Sequence, residues 1–400
     1  MHFSLDTNGG SVLTLQITIS KYQVSQKSPE RGDEENGGLK PVLLMKIKKT
    51  NLISGSYKGG IEKMARKGLF TALVFMLASA VASAGGLEPG SASGALEIGG
   101  YADVLYTKYD TTKTTFVLGH FVLDAAAELG DDVVVAAELE WARSEPNALS
   151  AAAGTDGALV CAYVDYAILE PLVLRAGKFL VPFNVYNDRL YPADVAKLAT
   201  VPFMNLSVVP TKWAETGIQI HGSIDTGTAA GMDYAIYLVN GLEGAGGIAS
   251  MKNNDVDSND SNKAVGTRIA VTTPVGFEAG LSYYMGAYTA DGNSDLTLLG
   301  LDACYEYEAF QIRAEYVSGD VEGAAVEDRD GFYLQGAYKF LDKYEAVLRY
   351  DEMDVTGSSI DRFTLGGNYT ITDDLTFRLS YEWSDAAEGD GVVGQLAVRF

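Results

Sequence analysis

Histidine and cysteine are nearly missing from this chain, three and two in 400 residues. The two cysteines, Cys161 and Cys304, cannot build a disulfide scaffold; each is read as a small buried or lumen-facing residue. No HExxH, CxxCH, P-loop or GxSxG pattern occurs, so no metal, no cofactor and no catalytic residue is expected. Basic charge is also in short supply, 30 Lys and Arg against 53 Asp and Glu, net −23. Nucleic acid is a poor partner for a surface of that sign. Long apolar runs are missing too. The best is Leu69 to Val81, thirteen residues, where a membrane helix needs about twenty.

That short run has another use. Arg66 and Lys67 precede it and Ala82-Ser83-Ala84 follows it, the three parts of a secretory signal peptide over residues 64–84. Cleavage after Ala84 starts the mature protein at Gly85. Residues 1–63 are then read as an overlong start outside the mature protein, with Met64 the natural initiator and Met45 the second choice. Of the basic and acidic groups, 11 and 6 lie ahead of Gly85, which leaves 19 against 47 and a net charge of −28.

From Leu96 onward the apolar residues recur at period two, as in strands with one greasy face. Phe121, Leu123, Ala125, Ala127 and Leu129, with Val117, are assigned one face of a strand; His120, Asp124 and Glu128 take the other. Phe363, Leu365, Gly367, Tyr369 and Ile371 alternate in the same way with Arg362, Thr364, Gly366 and Asn368. The pattern predicts strands at 96–107, 115–129, 132–143, 158–169, 171–180, 214–224, 230–240, 264–273, 275–288, 296–307, 310–319, 330–340, 343–353, 361–371, 374–384 and 391–400. Their connections alternate between tight turns, such as Gly130-Asp131-Asp132 and Leu341-Asp342-Lys343, and long polar links. Short turns on one rim and long loops on the other describe an all-β, transmembrane antiparallel β-barrel of about sixteen strands in the outer membrane of a Gram-negative cell. Tyr106, Trp141, Tyr288, Tyr338 and Trp383, near strand ends, are candidates for the aromatic girdles at the bilayer interfaces. The longest connection, Val181 to Trp213, is the third on the long-loop side. A link of that length in a compact fold calls for a function, and an inserted loop that narrows a pore supplies one.

The last strand ends on Phe400, which resembles the sorting signal that outer-membrane barrels present to their assembly machinery. A closer resemblance lies in Arg175-Ala-Gly-Lys-Phe-Leu-Val-Pro-Phe183 and Thr211-Lys-Trp-Ala-Glu-Thr-Gly-Ile-Gln-Ile-His-Gly222. Gly177, Lys178, Pro182, Phe183, Trp213, Gly217 and Gln219 match the strand-end and returning-strand motifs of the phosphate-selective porin-like group of proteobacterial porins. The match spans some 50 residues around the long loop. The resemblance implies a sixteen-stranded homotrimeric channel whose third loop folds inward, with a possible anion or phosphate preference from inward Arg and Lys. A chain this acidic departs from that last expectation.

Turning the polar face of each strand inward gives the pore-lining candidates. Arg268, Arg313, Lys339, Arg349, Arg362 and Arg378 form a basic wall, and Asp124, Glu128, Glu138 and Glu140 an acidic one. Facing walls of opposite charge would set up a transverse field across a narrow lumen. Glu315, Glu345, Asp351 and Glu382 share the basic strands, so a set of interior ion pairs is an equal reading. In the long loop Asp188, Arg189, Asp194, Lys197 and Lys212 are the constriction candidates. Asp255, Asp257 and Asp260 lack the glycine and glutamate of an EF-hand loop, and no metal site is assigned there. The function expected is a passive channel for ions and small hydrophilic solutes, in contact with outer-membrane lipid and lipopolysaccharide. The alternative is a structural barrel whose lumen is plugged or sheathes a partner.

Overall fold

The computed structural model describes residues 96–142, 156–169, 171–190, 196–227, 230–243, 263–289, 292–324, 327–355 and 357–400, together with strands at 2–7, 11–21 and 41–48. The chain divides into two units, Met1–Val81 and Ala82–Phe400. In the first, His2–Thr7, Ser11–Lys21 and Pro41–Lys48 pair as a three-stranded antiparallel sheet. The expected signal peptide at 64–84 lies outside the described residues.

Alternation builds the second unit. Its strands are β1 (Leu96–Tyr109), β2 (Thr115–Leu129), β3 (Val133–Ala142), β4 (Asp156–Leu169), β5 (Leu172–Leu180), β6 (Ala214–Asp225), β7 (Gly231–Val239) and β8 (Ala264–Thr272). They continue as β9 (Phe277–Ala287), β10 (Asp295–Tyr307), β11 (Phe310–Val321), β12 (Asp328–Phe340), β13 (Tyr344–Asp354), β14 (Ser359–Thr372), β15 (Leu375–Ser384) and β16 (Gly391–Arg399). Each pairs antiparallel with the next, and β16 pairs back onto β1 from Gly391↔Tyr109 to Arg399↔Tyr101, which closes the sheet into a barrel without edges. Phe400 continues this seam: its N–H donates to the Gly100 carbonyl at 3.0 Å, and its carbonyl accepts from the Gly100 N–H at 2.8 Å.

On most strands one face is apolar and exposed, as with Ile269, Leu281, Leu301, Leu348 and Leu365. An apolar band of that extent would be an aggregation liability in water; in a bilayer it is the required outer surface. On the short-turn side aromatic rings follow one another around the wall. Phe310 and Tyr338 stack at 4.4 Å, Tyr338 and Phe340 at 6.2 Å, Phe340 and Tyr344 at 5.7 Å, and Tyr344 and Tyr369 at 5.0 Å. Tyr288 takes no part in such a girdle. It is buried in the inner apolar cluster, and its hydroxyl donates to the Glu322 carbonyl.

Strict period two fails at one place in β2. Ala102 pairs with Phe121 but Val104 with Leu118, so Gly119 and His120 stand opposite Asp103 alone, a β-bulge. Beyond it the faces exchange: Phe116 and Leu118 turn outward, while Val117, expected beside Phe121, packs inward against Leu105, Tyr109, Ala199 and Val393.

Candidate functional site in the barrel lumen

The inward face holds what the outward face excludes. Arg268, Asp302, Arg313, Glu315, Arg349, Asp351, Arg362, Arg378 and Glu382 are all buried on it. Charges there survive only when paired and hydrogen-bonded, and cross-strand register does the pairing. Arg268 of β8 reaches Asp302 of β10, with Nη2 donating to Oδ1 at 3.0 Å. Asp351 of β13 sits between two guanidiniums, accepting from Arg349 Nε at 3.0 Å and from Arg362 Nη2 at 2.8 Å. Arg362 also lies 3.5 Å from Glu382. Arg378 Nη1 donates to Gln395 Oε1 at 2.6 Å.

The arginines hold more than carboxylates. Arg349 Nη1 donates to the Thr200 carbonyl and Arg362 Nη2 to the Val201 carbonyl, each at 2.7 Å, while the Phe203 N–H donates to Asp351 Oδ1 at 2.9 Å. Three polar bonds within four residues thus fasten the middle of the 181–213 connection to the inner wall, and the Arg362 guanidinium lies 4.2 Å above the Phe203 ring. Lys197 bonds Glu345, and Asn368 Nδ2 donates to the Lys197 carbonyl at 2.9 Å.

The neck of this connection is closed by Asn187 together with residues of the two motifs. Asn187 Nδ2 donates to the carbonyls of Val181 at 2.8 Å and Trp213 at 2.9 Å, and Asn187 Oδ1 accepts from the Trp213 N–H at 2.9 Å. Phe183 and Trp213 meet at 5.6 Å between ring centroids, and the Trp213 indole donates to Glu215 at 2.7 Å. Gly177 and Gly217 face each other across β5 and β6. Gly177 takes φ +134°, where a Cβ would lie 2.3 Å from the Ala162 carbonyl oxygen, so only glycine fits.

The segment leaves space along the opposite wall. A cavity of about 530 Å³ is bounded by Glu97 of β1, Asp124 of β2, Glu138 of β3, Cys161 and Tyr163 of β4, Arg175 of β5 and Asp188 of the segment. Arg175 is engaged on its own wall: it donates to both oxygens of Asp165, at 2.7 and 2.8 Å, and its guanidinium lies 3.9 Å over the Tyr163 ring. Asp188 lies 3.6 Å from both Arg268 and Arg189. It keeps 31% of its side chain exposed, yet crowding by the wall pushes its carboxyl above the usual carboxylate range against the pull of those arginines.

The expected basic wall therefore sits under the inserted segment. Arg349 and Arg362 are 2% and 1% exposed; carbonyls and Asp351 cover them. Arg268 and Arg378 are engaged as described, and Arg313 is buried beside the segment with Tyr333, Gln335 and Arg349. Lys339 is exposed near the short-turn rim, in register with Glu345. On the acidic side Asp124 and Glu138 line the cavity, Glu128 is exposed nearer the turn, and Glu140 is buried where Lys212 Nζ donates to it at 2.6 Å. Of the constriction candidates Asp188 alone borders the cavity. Arg189 bonds Glu278, Lys197 and Lys212 are tied to the wall, and Asp194 lies outside the described residues, as do Asp255, Asp257 and Asp260.

Sequence reasoning left out Asp103. Asp103 is buried, accepts from the His120 backbone N–H and faces His120 Nδ1 at 3.0 Å, which satisfies the bulge from a strand whose alternation gave no hint of it. It also left out Arg175 as a lumen group, although that residue opens the strand-end motif. Among the described residues no group of three or more His, Cys, Asp or Glu is arranged to hold a metal ion.

Comparison with known proteins points one way. Residues 70–392 match the family model described as Gram-negative porin. Salmonella typhi OmpF in complex with daunomycin is similar in structure, with TM-score 0.56 and 15% identity over 76% of this chain and 97% of that one. An anion-selective porin from Comamonas acidovorans gives TM-score 0.55 and 14% identity over 77% and 99%. OmpT of Vibrio cholerae, as its loop L8 deletion mutant, gives 0.54 and 12% over 77% and 100%. At these identities the likeness is one of fold. An uncharacterized protein of Aquifex aeolicus is 24% identical over 213 residues, 46% of this chain and 48% of that one, so the chain spans about half the length of that curated relative.

Proposed function

The chain belongs to the Gram-negative porin family and is an outer-membrane β-barrel, and from that premise we propose that it is a passive diffusion channel for ions and small hydrophilic solutes. The observation that carries the reading is the cavity of about 530 Å³ between the inserted segment and β1–β5, whose lining includes the charged side chains of Glu97, Asp124, Glu138, Arg175 and Asp188. The segment at 181–213 narrows the lumen by occupying its other side. Solutes move down their gradients and no bond is made or broken, so the chain acts as a channel rather than an enzyme.

The finer parts of the proposal follow from the same premise. The mature protein begins at Gly85 after removal of a signal peptide over 64–84, and residues 1–63 are not part of it. It assembles as a homotrimer, among lipid and lipopolysaccharide, after delivery to the barrel assembly machinery through its Phe400 terminus. An anion or phosphate preference would need arginines that face water. Here the guanidiniums of Arg175, Arg268, Arg349, Arg362 and Arg378 are engaged by carboxylates, Gln395 or carbonyls of the segment, which weighs against phosphate as the favoured solute. Liposome swelling with a series of neutral sugars of increasing size tests the channel. Swelling that slows steeply with solute size is expected; no swelling with any sugar, from liposomes that hold folded barrels, would favour a plugged or partner-filled barrel instead.

A further inference from the structure

Between the inserted segment and the wall it rests on lies a second, much smaller cavity. Its volume is about 10 Å³, and it is bordered by Lys197 and Thr200 of the segment, Arg313 of β11, Tyr333 and Gln335 of β12, and Arg349 of β13. It shares no lining residue with the cavity of about 530 Å³. Lys197, Arg313 and Arg349 are cations, and no carboxylate borders the space.

Two of those cations are compensated where they stand. Lys197 bonds Glu345, and Arg349 donates to Asp351 and to the Thr200 carbonyl. Arg313 is answered differently. It is 9% exposed, and its Nε finds no hydrogen-bond partner among the described residues. Its register partners on the two neighbouring strands are Cys304 and Gln335, a thiol and an amide. Glu315 follows two residues on, on the same face of β11, but it accepts from the Tyr333 hydroxyl and does not border the cavity. A buried guanidinium N–H without an acceptor is costly, and the space beside it can hold one that the chain does not supply.

We propose that this cavity is a halide site, in which a single chloride ion bonded by Arg313 and Gln335 completes the joint between the segment and β11–β13. Size selects the ligand. About 10–15 Å³ admits one water-sized sphere, so a monoatomic anion fits where phosphate, sulphate or a carboxylate does not. Charge selects it over water, which would accept from Nε but bring nothing to set against the guanidinium. Thr200 contributes shape only, since its hydroxyl already accepts from Arg349 and donates to Glu382. The ion is a fixed part of the wall, so this holds whatever the barrel passes.

The test is chloride-linked stability of the full-length protein. A ligand that binds only the folded state stabilises it increasingly with concentration. The urea midpoint should therefore rise as sodium chloride replaces sodium gluconate at constant ionic strength, and bromide should act as chloride does. Arg313→Gln, which removes the charge, should lose most of that rise. A midpoint indifferent to chloride overturns the inference, and so does an equal rise in the parent and in Arg313→Gln. If Arg313→Gln does not fold, crystals of the unaltered protein soaked in bromide decide, with an anomalous peak expected beside the Arg313 guanidinium. No peak there overturns the site. A peak there with a midpoint indifferent to chloride marks an adventitious ion only and overturns its part in the joint.

Discussion

Asp351 is the residue on which the inserted segment depends most. It compensates two guanidiniums and accepts the Phe203 N–H, wholly buried. Replacement by Ala would leave Arg349 and Arg362 buried without their shared carboxylate, a loss of about 3–5 kcal/mol. The expected outcome is a lower urea midpoint for barrel unfolding, read by the loss of heat-modifiable mobility on gels. A midpoint unchanged from the parent protein would show that the segment does not rest on this clamp. Asp188 contributes a pH dependence. Its carboxyl is raised by burial, so as pH falls it takes up a proton while ordinary carboxylates, with values near 4, are still charged. The sign for stability is the reverse of a salt-bridged acid: its contribution favours the folded state at low pH and is lost as pH rises through the raised value. The urea midpoint of the barrel should therefore fall as pH rises through the raised value, and Asp188→Asn should remove that part of the fall. Identical pH profiles for the two proteins would contradict it. Gly100 is fixed by the closing seam, since a Cβ there would lie 2.3 Å from the Val122 carbonyl oxygen and 2.6 Å from the Phe400 ring. Gly100→Ala should destabilise the barrel by about 1–3 kcal/mol, measured in the same urea titration.

At the scale of elements, turn chemistry and alternation carry the fold. The tight turn between β12 and β13 places Leu341 at φ +50° and Asp342 at +58°, a geometry that suits Asn or Gly and costs a branched side chain about 1 kcal/mol. Leu341→Asn should therefore raise the urea midpoint slightly; a lower midpoint would mean that the exposed leucine contributes through the bilayer interface. All sixteen strands were legible in the sequence, with ends within about two residues of those found, because one side of each meets lipid and the other the lumen. The bulge at Gly119 and His120 was not legible. Period two records only which face a residue takes, and an extra residue exchanges the faces without breaking the alternation on either side. The same limit hid the clamp. Arg349 and Arg362 read as inward basic residues from their place on β13 and β14, but nothing local says that a segment some 150 residues earlier will cover them. The neck of that segment was half legible, since Trp213, Phe183 and Gly177 stood in a recognisable motif while Asn187, which bonds both of its strands, did not.

The barrel unit joins an apolar outer band, stacked aromatics toward the short-turn rim and a polar interior crossed by one long segment. Net charge misleads at this scale. The excess of acidic groups does not describe the lumen, where most inward arginines have carboxylate partners. What the account requires of the molecule is an open path beside the segment. Single-channel recording of the purified protein in planar bilayers measures that directly. Steady, ohmic steps of uniform size are predicted. Well-folded barrels that insert and remain silent would contradict it.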